Sequence, residues 1–219
     1  MDDLLPWQRL TVGSGLLLAA PSVITLDPDE LRRQTLSAIA ATPEAEKHNF
    51  AGAPGGWTAI SLLSNPGAYG SGHALRCHPG LDHLPLLERS VLSLSGLVLE
   101  GVHILRQPAA GVLAWHYDHQ GLHLPLARLL LSVQVPSGAF TWIGHEKHAF
   151  PAGTLWTGDF SQPHQVENGT DQDRLMIAVD VTVNDAARAL FPAALYAEGA
   201  RRQYLSQEGI NALLAARSG

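Results

Sequence analysis

The sequence is poor in cysteine: Cys77 is the only one in 219 residues, so no disulfide bond can form within the chain. A zinc or iron–sulfur site built from four thiolates is excluded for the same reason. Secreted domains that depend on disulfides need several cysteines, so we expect a protein of a reducing compartment, the cytoplasm.

Positive charge is scarce as well. Lys and Arg number 14 against 20 Asp and Glu, so the formal net charge is −6, and the basic residues do not cluster. A surface that holds nucleic acid through phosphate contacts needs clustered positive charge. We therefore expect no nucleic-acid partner.

Long hydrophobic runs are also absent. The N-terminal apolar stretch, GLLLAAPSVITL, is short, follows Asp2 and Asp3 rather than basic residues, and is interrupted by Pro21. A signal peptide needs a basic start, and a membrane helix needs about 20 apolar residues. We expect neither, and hence no membrane partner.

The sequence does contain a block of short apolar runs between helical segments. Asp27 as N-cap, Pro28 in the first turn and Glu30 as the second half of a capping box predict a helix from about 28 to 41. From Trp57 onward, one further helical segment, PLLERSVLSL, is accompanied by runs typical of strands. These runs are WTAISLL, LVLEGVHILR, GVLAWHYD, ARLLLSVQV, AFTWIG, GTLWTGD, HQVEN and RLMIAVDVTV. The pattern favours a mainly β domain, a sandwich or barrel, with flanking helices.

The segment HYDHQGLHLP, residues 116–125, holds three of the 11 histidines and one aspartate. If the strand before it continues through it, alternation places His116 and Asp118 on one face and His119 on the other. An imidazole and a carboxylate side by side supply two of the three ligands of a non-haem iron site, which a histidine from a distant strand completes. His123 lies in a predicted loop, from which it could contact a substrate.

His164 is the best candidate for that third ligand, because it begins the strand run HQVEN. The turn sequence Asn168-Gly169 and the apolar run after it predict a hairpin, in which antiparallel pairing brings Arg174 opposite His164. A guanidinium group suits two-point binding of a carboxylate. The set predicts an anionic organic ligand beside the metal.

Two further residues keep open alternatives. Arg106, on a predicted strand, either points into the barrel and binds a substrate carboxylate or forms a surface salt bridge. Asp159, five residues before His164, either orients a metal ligand or caps a turn.

Residues 103–181 carry linked motifs that resemble the aspartyl/asparaginyl β-hydroxylase family of Fe(II)- and 2-oxoglutarate-dependent dioxygenases. Within this family, the bacterial enzymes that hydroxylate free proline at the cis-4 position look most similar. His116-x-Asp118 resembles the proximal ligand pair, and GTLWTGDFSQPH resembles the segment that ends in the distal histidine, His164. Arg174, ten residues later, resembles the 2-oxoglutarate-binding arginine, and Arg128 falls where the family has an arginine opening the next strand.

The resemblance implies a double-stranded β-helix, a jelly-roll, cupin-like core of two antiparallel sheets with iron in its mouth. It implies that His116, Asp118 and His164 hold Fe(II) and that Arg174 pairs with the distal carboxylate of 2-oxoglutarate. Arg128 would bind a carboxylate of the cosubstrate or of the substrate. Such enzymes consume O2 and 2-oxoglutarate, and release succinate and carbon dioxide as the substrate is oxidised.

This chain departs from the family pattern at one position and matches one of its branches at another. The family usually has Arg-x-His where this chain has Leu130 after Arg128, so one polar contact to the cosubstrate is lost. Asp118 is missing from the animal peptidyl hydroxylases of the family, so its presence favours the bacterial small-molecule branch. It also argues against halogenation, because a halide would need the coordination position that the carboxylate fills.

We therefore predict a single dioxygenase domain over residues 1–219. Residues 1–95 form N-terminal helical and β support, 96–183 the β-helix core with the metal site, and 184–219 the C-terminal helices, which cover a sheet or meet a second subunit in a homodimer. The predicted activity is hydroxylation of a small-molecule substrate, a free amino acid or an amino-acid-derived metabolite. The alternatives are hydroxylation of a peptidyl or carrier-tethered Asp/Asn-like residue, and a non-redox cupin-like metal- or ligand-binding protein.

Overall fold

The computed structural model describes residues 3–50, 57–67 and 73–218. The strands in these ranges are β1 (Ala19–Thr25), β2 (Lys47–Phe50), β3 (Trp57–Ser64), β4 (Arg76–Cys77), β5 (Val98–Gln107), β6 (Val112–His116), β7 (Leu126–Gln134), β8 (Ala139–Ile143), β9 (Glu146–His148), β10 (Thr154–Gly158), β11 (His164–Asn168) and β12 (Arg174–Thr182). The helices are α1 (Pro6–Thr11), α2 (Pro28–Ala41), α3 (Pro85–Leu87), α4 (Asp185–Arg188) and α5 (Gly199–Ser218), and α3 continues as a π turn over Glu88–Leu92. Single 3-10 turns lie at Glu44–Glu46, Pro79–His83 and Ala193–Leu195.

The strands form two antiparallel sheets. The larger sheet has the order β1-β10-β7-β12-β5-β3-β2, with β4 pairing with β3, and the smaller sheet has the order β6-β11-β8-β9. The runs predicted as strands from Trp57 onward form β3, β5 to β8 and β10 to β12. The mainly β prediction with flanking helices is confirmed, and the two sheets make the double-stranded β-helix.

Alternation along the central strands separates a helix-covered core from the space between the sheets. In β12, Leu175, Ile177 and Val179 belong to the main hydrophobic cluster, which includes Leu31 of α2 and Leu87 of α3. The residues between them project from the other side of the strand. Burying each of these aliphatic side chains stabilises the fold by about 1.5–3 kcal/mol. The second face of the strand is therefore the one on which polar side chains with a function can be placed.

The helix predicted at 28–41 is confirmed as α2, and half of its predicted capping box forms. The Asp27 carboxylate accepts a hydrogen bond from the Glu30 backbone N–H at 2.7 Å. The Glu30 carboxylate does not return to the cap, since it accepts from the Gln34 side chain at 2.8 Å. One orphan N–H of the first turn is thus satisfied by the cap.

The N-terminal apolar stretch GLLLAAPSVITL, which we predicted not to span a membrane, contains β1. This strand pairs with β10 and lies at one edge of the larger sheet, where Pro21 interrupts no continuous ladder. No helix in the part of the chain that the structure describes is long and apolar enough to cross a membrane.

The predicted hairpin at Asn168-Gly169 is wrong. Strands β11 and β12 belong to different sheets: His164 lies opposite His116 in the smaller sheet, whereas Arg174 lies opposite Gln107 in the larger one. Asn168 is fully buried, and its side-chain amide donates to the Pro108 and Gln172 carbonyls at 2.9 and 2.7 Å. The side chain anchors a crossover between sheets, whereas a two-residue hairpin turn would expose it.

The C-terminal helix α5 is joined to the rest of the domain by a buried ion pair. Arg202 is 0% exposed, and its guanidinium donates to the Asp159 carboxylate at 3.1 Å. It also donates to the backbone carbonyls of Leu17, Ala194 and Ala197 at 2.7–3.1 Å. A charge this deep is tolerated because each edge of the guanidinium has a partner.

We expect Arg202→Met to destabilise the fold strongly, because it leaves the Asp159 carboxylate buried without its cation. Breaking a buried pair in this way costs about 3–5 kcal/mol, which lowers Tm by roughly 6–20 °C in a domain of this size. The control is Arg201→Met, since Arg201 pairs with Glu198 at the surface and its loss should cost less than about 1 kcal/mol. Thermal unfolding followed by circular dichroism measures both, and equal Tm values for the two variants would contradict the assignment.

Candidate functional site

Three side chains meet at one end of the smaller sheet, where β6 ends and β11 begins. His116 is the last residue of β6, His164 is the first of β11, and the two lie directly opposite in the antiparallel pair. Strand β6 ends before Asp118, contrary to the prediction that the strand continues through it. The backbone N–H of Asp118 instead donates to the Phe160 carbonyl at 3.0 Å. The Asp118 carboxylate lies near both histidines. One ligand atom from each of the three residues lies within 4.8 Å of the others.

Backbone carbonyls orient both imidazoles. The Nδ1 atom of His116 lies 2.8 Å from the Ala114 carbonyl, and that of His164 lies 3.0 Å from the Gln162 carbonyl. Because a carbonyl can only accept, each Nδ1 carries a proton, so Nε2 is the nitrogen of each ring that can bind a metal. The two Nε2 atoms lie 3.9 and 3.7 Å from the Asp118 carboxylate oxygens.

The electrostatic environment keeps His116 and Asp118 in their metal-binding protonation states. Burial and the neighbouring His164 lower the pKa of His116 to about 4, although Asp118 opposes the shift. Burial alone would raise the pKa of Asp118, but His164, Arg128 and His116 together hold it well below its usual range. At neutral pH the triad therefore offers a neutral imidazole at His116 and an ionised carboxylate. Two imidazoles and one carboxylate are the donor set of non-haem Fe(II) sites that keep open coordination positions.

A cavity of about 330 Å³ leads from the triad into the space between the sheets. Besides the triad, its lining consists of Trp57, Leu105, Gln107, Leu113, Arg128, Leu130, Thr141, Phe160, Val166, Arg174 and Met176. Most of these side chains are apolar, so charges inside the cavity act through a low dielectric.

Arg174 lies in the wall of this cavity and is 5% exposed. Its Nη2 donates to the Thr141 hydroxyl at 2.9 Å, while its Nε has no hydrogen-bond partner among the described residues. Burial lowers the pKa of Arg174 to about 10, so the group remains charged at neutral pH. A buried cation with an unpaired donor, in the same cavity as a metal triad, fits 2-oxoglutarate, which can chelate a metal at one end and present a carboxylate at the other.

Thr141 is a site residue that the sequence reasoning missed. Its signal was available in the run AFTWIG, where alternation separates Thr141 from its larger neighbours Phe140 and Trp142. In β8, Thr141 is buried and faces the cavity.

Arg128 lies in the cavity wall, where its guanidinium binds two carboxylates of the chain. Its Nε and Nη2 donate to Asp180 at 2.8 and 3.0 Å, and its Nη1 donates to Asp118 at 3.2 Å. The sequence reasoning missed Asp180, although a single acid inside the apolar run RLMIAVDV was a signal that it had a partner. Binding of a cosubstrate or substrate carboxylate by Arg128 stays a prediction.

The structure contradicts the prediction that Arg106 binds substrate. Its side chain is 49% exposed and forms a salt bridge with Asp173 at 2.7 Å, which was the alternative. The neighbouring residues on β5, Leu105 and Gln107, line the cavity, so alternation directs Arg106 to the other face.

The prediction that His123 contacts substrate is also wrong. Its side chain is 1% exposed, lies 4.0 Å from the Asp159 carboxylate and is not part of the cavity wall. The loop thus places the imidazole in the protein interior, near Asp159. His119 is exposed with a φ of 51° and is not part of the triad, as predicted, although β6 ends at His116 and the alternation that motivated the prediction does not extend to it.

Leu130 occupies the cavity wall at the position of the family's histidine. It is 7% exposed and belongs to a second apolar cluster with Trp156, Phe160 and Met176. An apolar contact thus replaces a polar one on this side of the cavity, and Arg174 and Thr141 remain as its hydrogen-bonding pair.

Known proteins share both the sequence pattern and the fold. A family model described as aspartyl/asparaginyl beta-hydroxylase matches residues 23–183, whereas no curated protein sequence gives a significant match. An oxidoreductase of the 2OG-Fe(II) oxygenase family from Burkholderia pseudomallei superposes with a TM-score of 0.52 at 11% identity, covering 81% of this chain and 91% of its own. The non-heme alpha-ketoglutarate-dependent epimerase SnoN from nogalamycin biosynthesis superposes with a TM-score of 0.51 at 14% identity, covering 81% and 83%. At such identities the two structures show a common fold and nothing about the substrate.

We expect the purified protein to bind one divalent ion per chain, and His116→Ala or His164→Ala to weaken this binding severely. Losing a ligand should cost more than the roughly 10–100-fold that is typical of losing an outer partner. Titration with Co²⁺, followed by its visible d–d bands, measures the affinity. His119→Ala is the control, because it removes a neighbouring imidazole that faces away. Unchanged Co²⁺ binding in either ligand variant would exclude that histidine from the site.

Proposed function

Since this chain belongs to the aspartyl/asparaginyl β-hydroxylase family of Fe(II)- and 2-oxoglutarate-dependent oxygenases, we propose that it hydroxylates a free amino acid or a small amino-acid-derived metabolite. The observation that carries the proposal is the cavity that joins the triad to Arg174. Its volume of about 330 Å³ lies at the lower end of ligand pockets, which range over about 300–1,000 Å³. A space that must hold both cosubstrate and the reacting part of the substrate favours a small molecule.

In this proposal five polar residues of the cavity have defined tasks. His116, Asp118 and His164 hold Fe(II) through three positions and leave the others open for cosubstrate and oxygen. Arg174 binds the distal carboxylate of 2-oxoglutarate through its Nε, which no described residue engages. Thr141 already accepts a hydrogen bond from Arg174, so its own proton is available to the same carboxylate.

Bound iron would couple the oxidative decarboxylation of 2-oxoglutarate by O2 to hydroxylation of a substrate C–H bond, with one oxygen atom entering succinate and the other the product, and with carbon dioxide released. The chain supplies position and environment. Leu130, Phe160 and Met176 exclude water from the cavity, which strengthens the pairing between Arg174 and an anionic cosubstrate.

We expect 2-oxoglutarate to produce a metal-to-ligand charge-transfer band when it is added to the anaerobic Fe(II) protein, because chelation of the metal causes this band. Arg174→Met should weaken the apparent affinity about 10–100-fold, as the loss of a charged hydrogen bond costs about 1.5–3 kcal/mol. Arg106→Met is the matched control, since that arginine lies outside the cavity and its variant should titrate like the unaltered protein. If the unaltered protein shows no band, a non-redox binding protein becomes the better interpretation.

We also expect at least one free amino acid, or a small derivative of one, to stimulate succinate release. The measurement is a screen of single compounds with Fe(II), oxygen and 2-oxoglutarate present, followed by mass detection of a product heavier by one oxygen atom. The same screen with His164→Ala should give no stimulation. Turnover of peptides or carrier-bound aminoacyl groups, with none of the free compounds, would replace this substrate class by a tethered one.

A further inference from the structure

Two opposite charges lie side by side on neighbouring strands in the middle of the larger sheet. Arg128 of β7 and Asp180 of β12 are direct partners in the strand register. Asp180 is 1% exposed, while Val179 and Val181 on either side of it belong to the helix-covered core. An ionised carboxylate in such a place costs several kcal/mol unless donors surround it. The position is therefore stable only together with its partners.

The contacts of Asp180 fix the plane of the arginine. Arg128 donates to one carboxylate oxygen through Nε at 2.8 Å and to the other through Nη2 at 3.0 Å. Gln120 donates to the first oxygen at 3.2 Å. This two-point geometry holds the guanidinium more rigidly than a single hydrogen bond can.

The Nη1 atom of Arg128 lies 3.2 Å from the Oδ2 atom of Asp118. Asp118 stands two residues beyond the end of β6, where no strand ladder restrains its side chain. The arginine therefore restrains one carboxylate oxygen, while Oδ1 lies on the side of His116, at 3.9 Å from its Nε2. Gln120, two residues after Asp118, connects the same loop to Asp180.

We propose that Arg128, held by Asp180 and Gln120, is a positioning residue that sets the orientation of the Asp118 carboxylate for metal binding. This role is distinct from the predicted binding of a cosubstrate or substrate carboxylate by Arg128. Asp180 and Asp118 together engage three of the five N–H groups of the guanidinium, one on each of its three nitrogens. The inference rests on Asp118 as a metal ligand, as in the proposed function, and does not depend on what the substrate is.

The two roles of Arg128 predict different effects of Arg128→Lys and Asp180→Asn. Lysine keeps the cation and loses the two-point geometry, while asparagine leaves Arg128 in place without its carboxylate partner. If Arg128 positions Asp118, each variant weakens Co²⁺ binding about 10–100-fold and alters the d–d spectrum, without any cosubstrate present. The affinity for 2-oxoglutarate, measured with saturating metal, should then stay within about threefold of that of the unaltered protein. Because both residues act through one contact, the variant that carries both changes should bind Co²⁺ no more weakly than the single variant with the lower affinity.

The opposite pattern would overturn the proposal: unchanged Co²⁺ affinity and spectrum, with 2-oxoglutarate binding weakened by Arg128→Lys and not by Asp180→Asn. The matched control is the surface pair of the same residue types, through Arg106→Lys and Asp173→Asn, which should change neither affinity. Tm is recorded for every variant. If Asp180→Asn does not fold, Arg128→Lys decides alone, since it leaves a cation beside Asp180. Failure of the unaltered protein to bind Co²⁺ would instead contradict the proposed function.

Discussion

The antiparallel pairing of β6 with β11 is the interaction on which the site depends. It places His116 opposite His164, although the two are 48 residues apart in the chain, and it leaves both Nδ1 atoms beside backbone carbonyls. The sheet thus determines the position and the tautomer of both imidazoles before any metal binds. Rigid elements position ligands more accurately than loops do. Asp118, the one member of the triad outside a strand, is also the one with an arginine bound to its carboxylate.

Two buried carboxylates are compensated by arginines of the chain, whereas one buried arginine has no carboxylate partner among the described residues. Asp180 has Arg128 and Gln120, Asp159 has Arg202, and Arg174 has Thr141 on one side. In the first two sets a carboxylate and an arginine of the chain neutralise each other, and breaking either pair would leave an uncompensated buried charge. Arg174 differs, because its Nε has no partner among the described residues. That difference separates a structural arginine from one suited to an external carboxylate, although all three arginines lie at least partly inside the protein.

The apolar lining of the cavity gives these few polar groups their effect. Leu130 stands where a histidine is usual in the family, and it packs with Trp156, Phe160 and Met176. The change removes one hydrogen-bonding group and also lowers the local polarity, which strengthens the remaining electrostatic contacts. Recognition of 2-oxoglutarate would then depend chiefly on Arg174 and Thr141.

The sequence alone identified eight of the twelve described strands, the helix from Pro28, and the set of His116, Asp118 and His164, because caps, alternation and motif spacing are local or ordered along the chain. It placed Arg174 near the metal for the wrong reason, since a turn sequence does not reveal whether the next strand stays in the same sheet. Only the tertiary structure decided that Arg106 lies outside the cavity, that His123 is buried, and that Arg128 has Asp180 as its partner. These outcomes depend on strand register and loop packing, and a shift of one residue in register turns a side chain to the opposite face. Register is set by contacts between distant segments, so no local run of residues contains it.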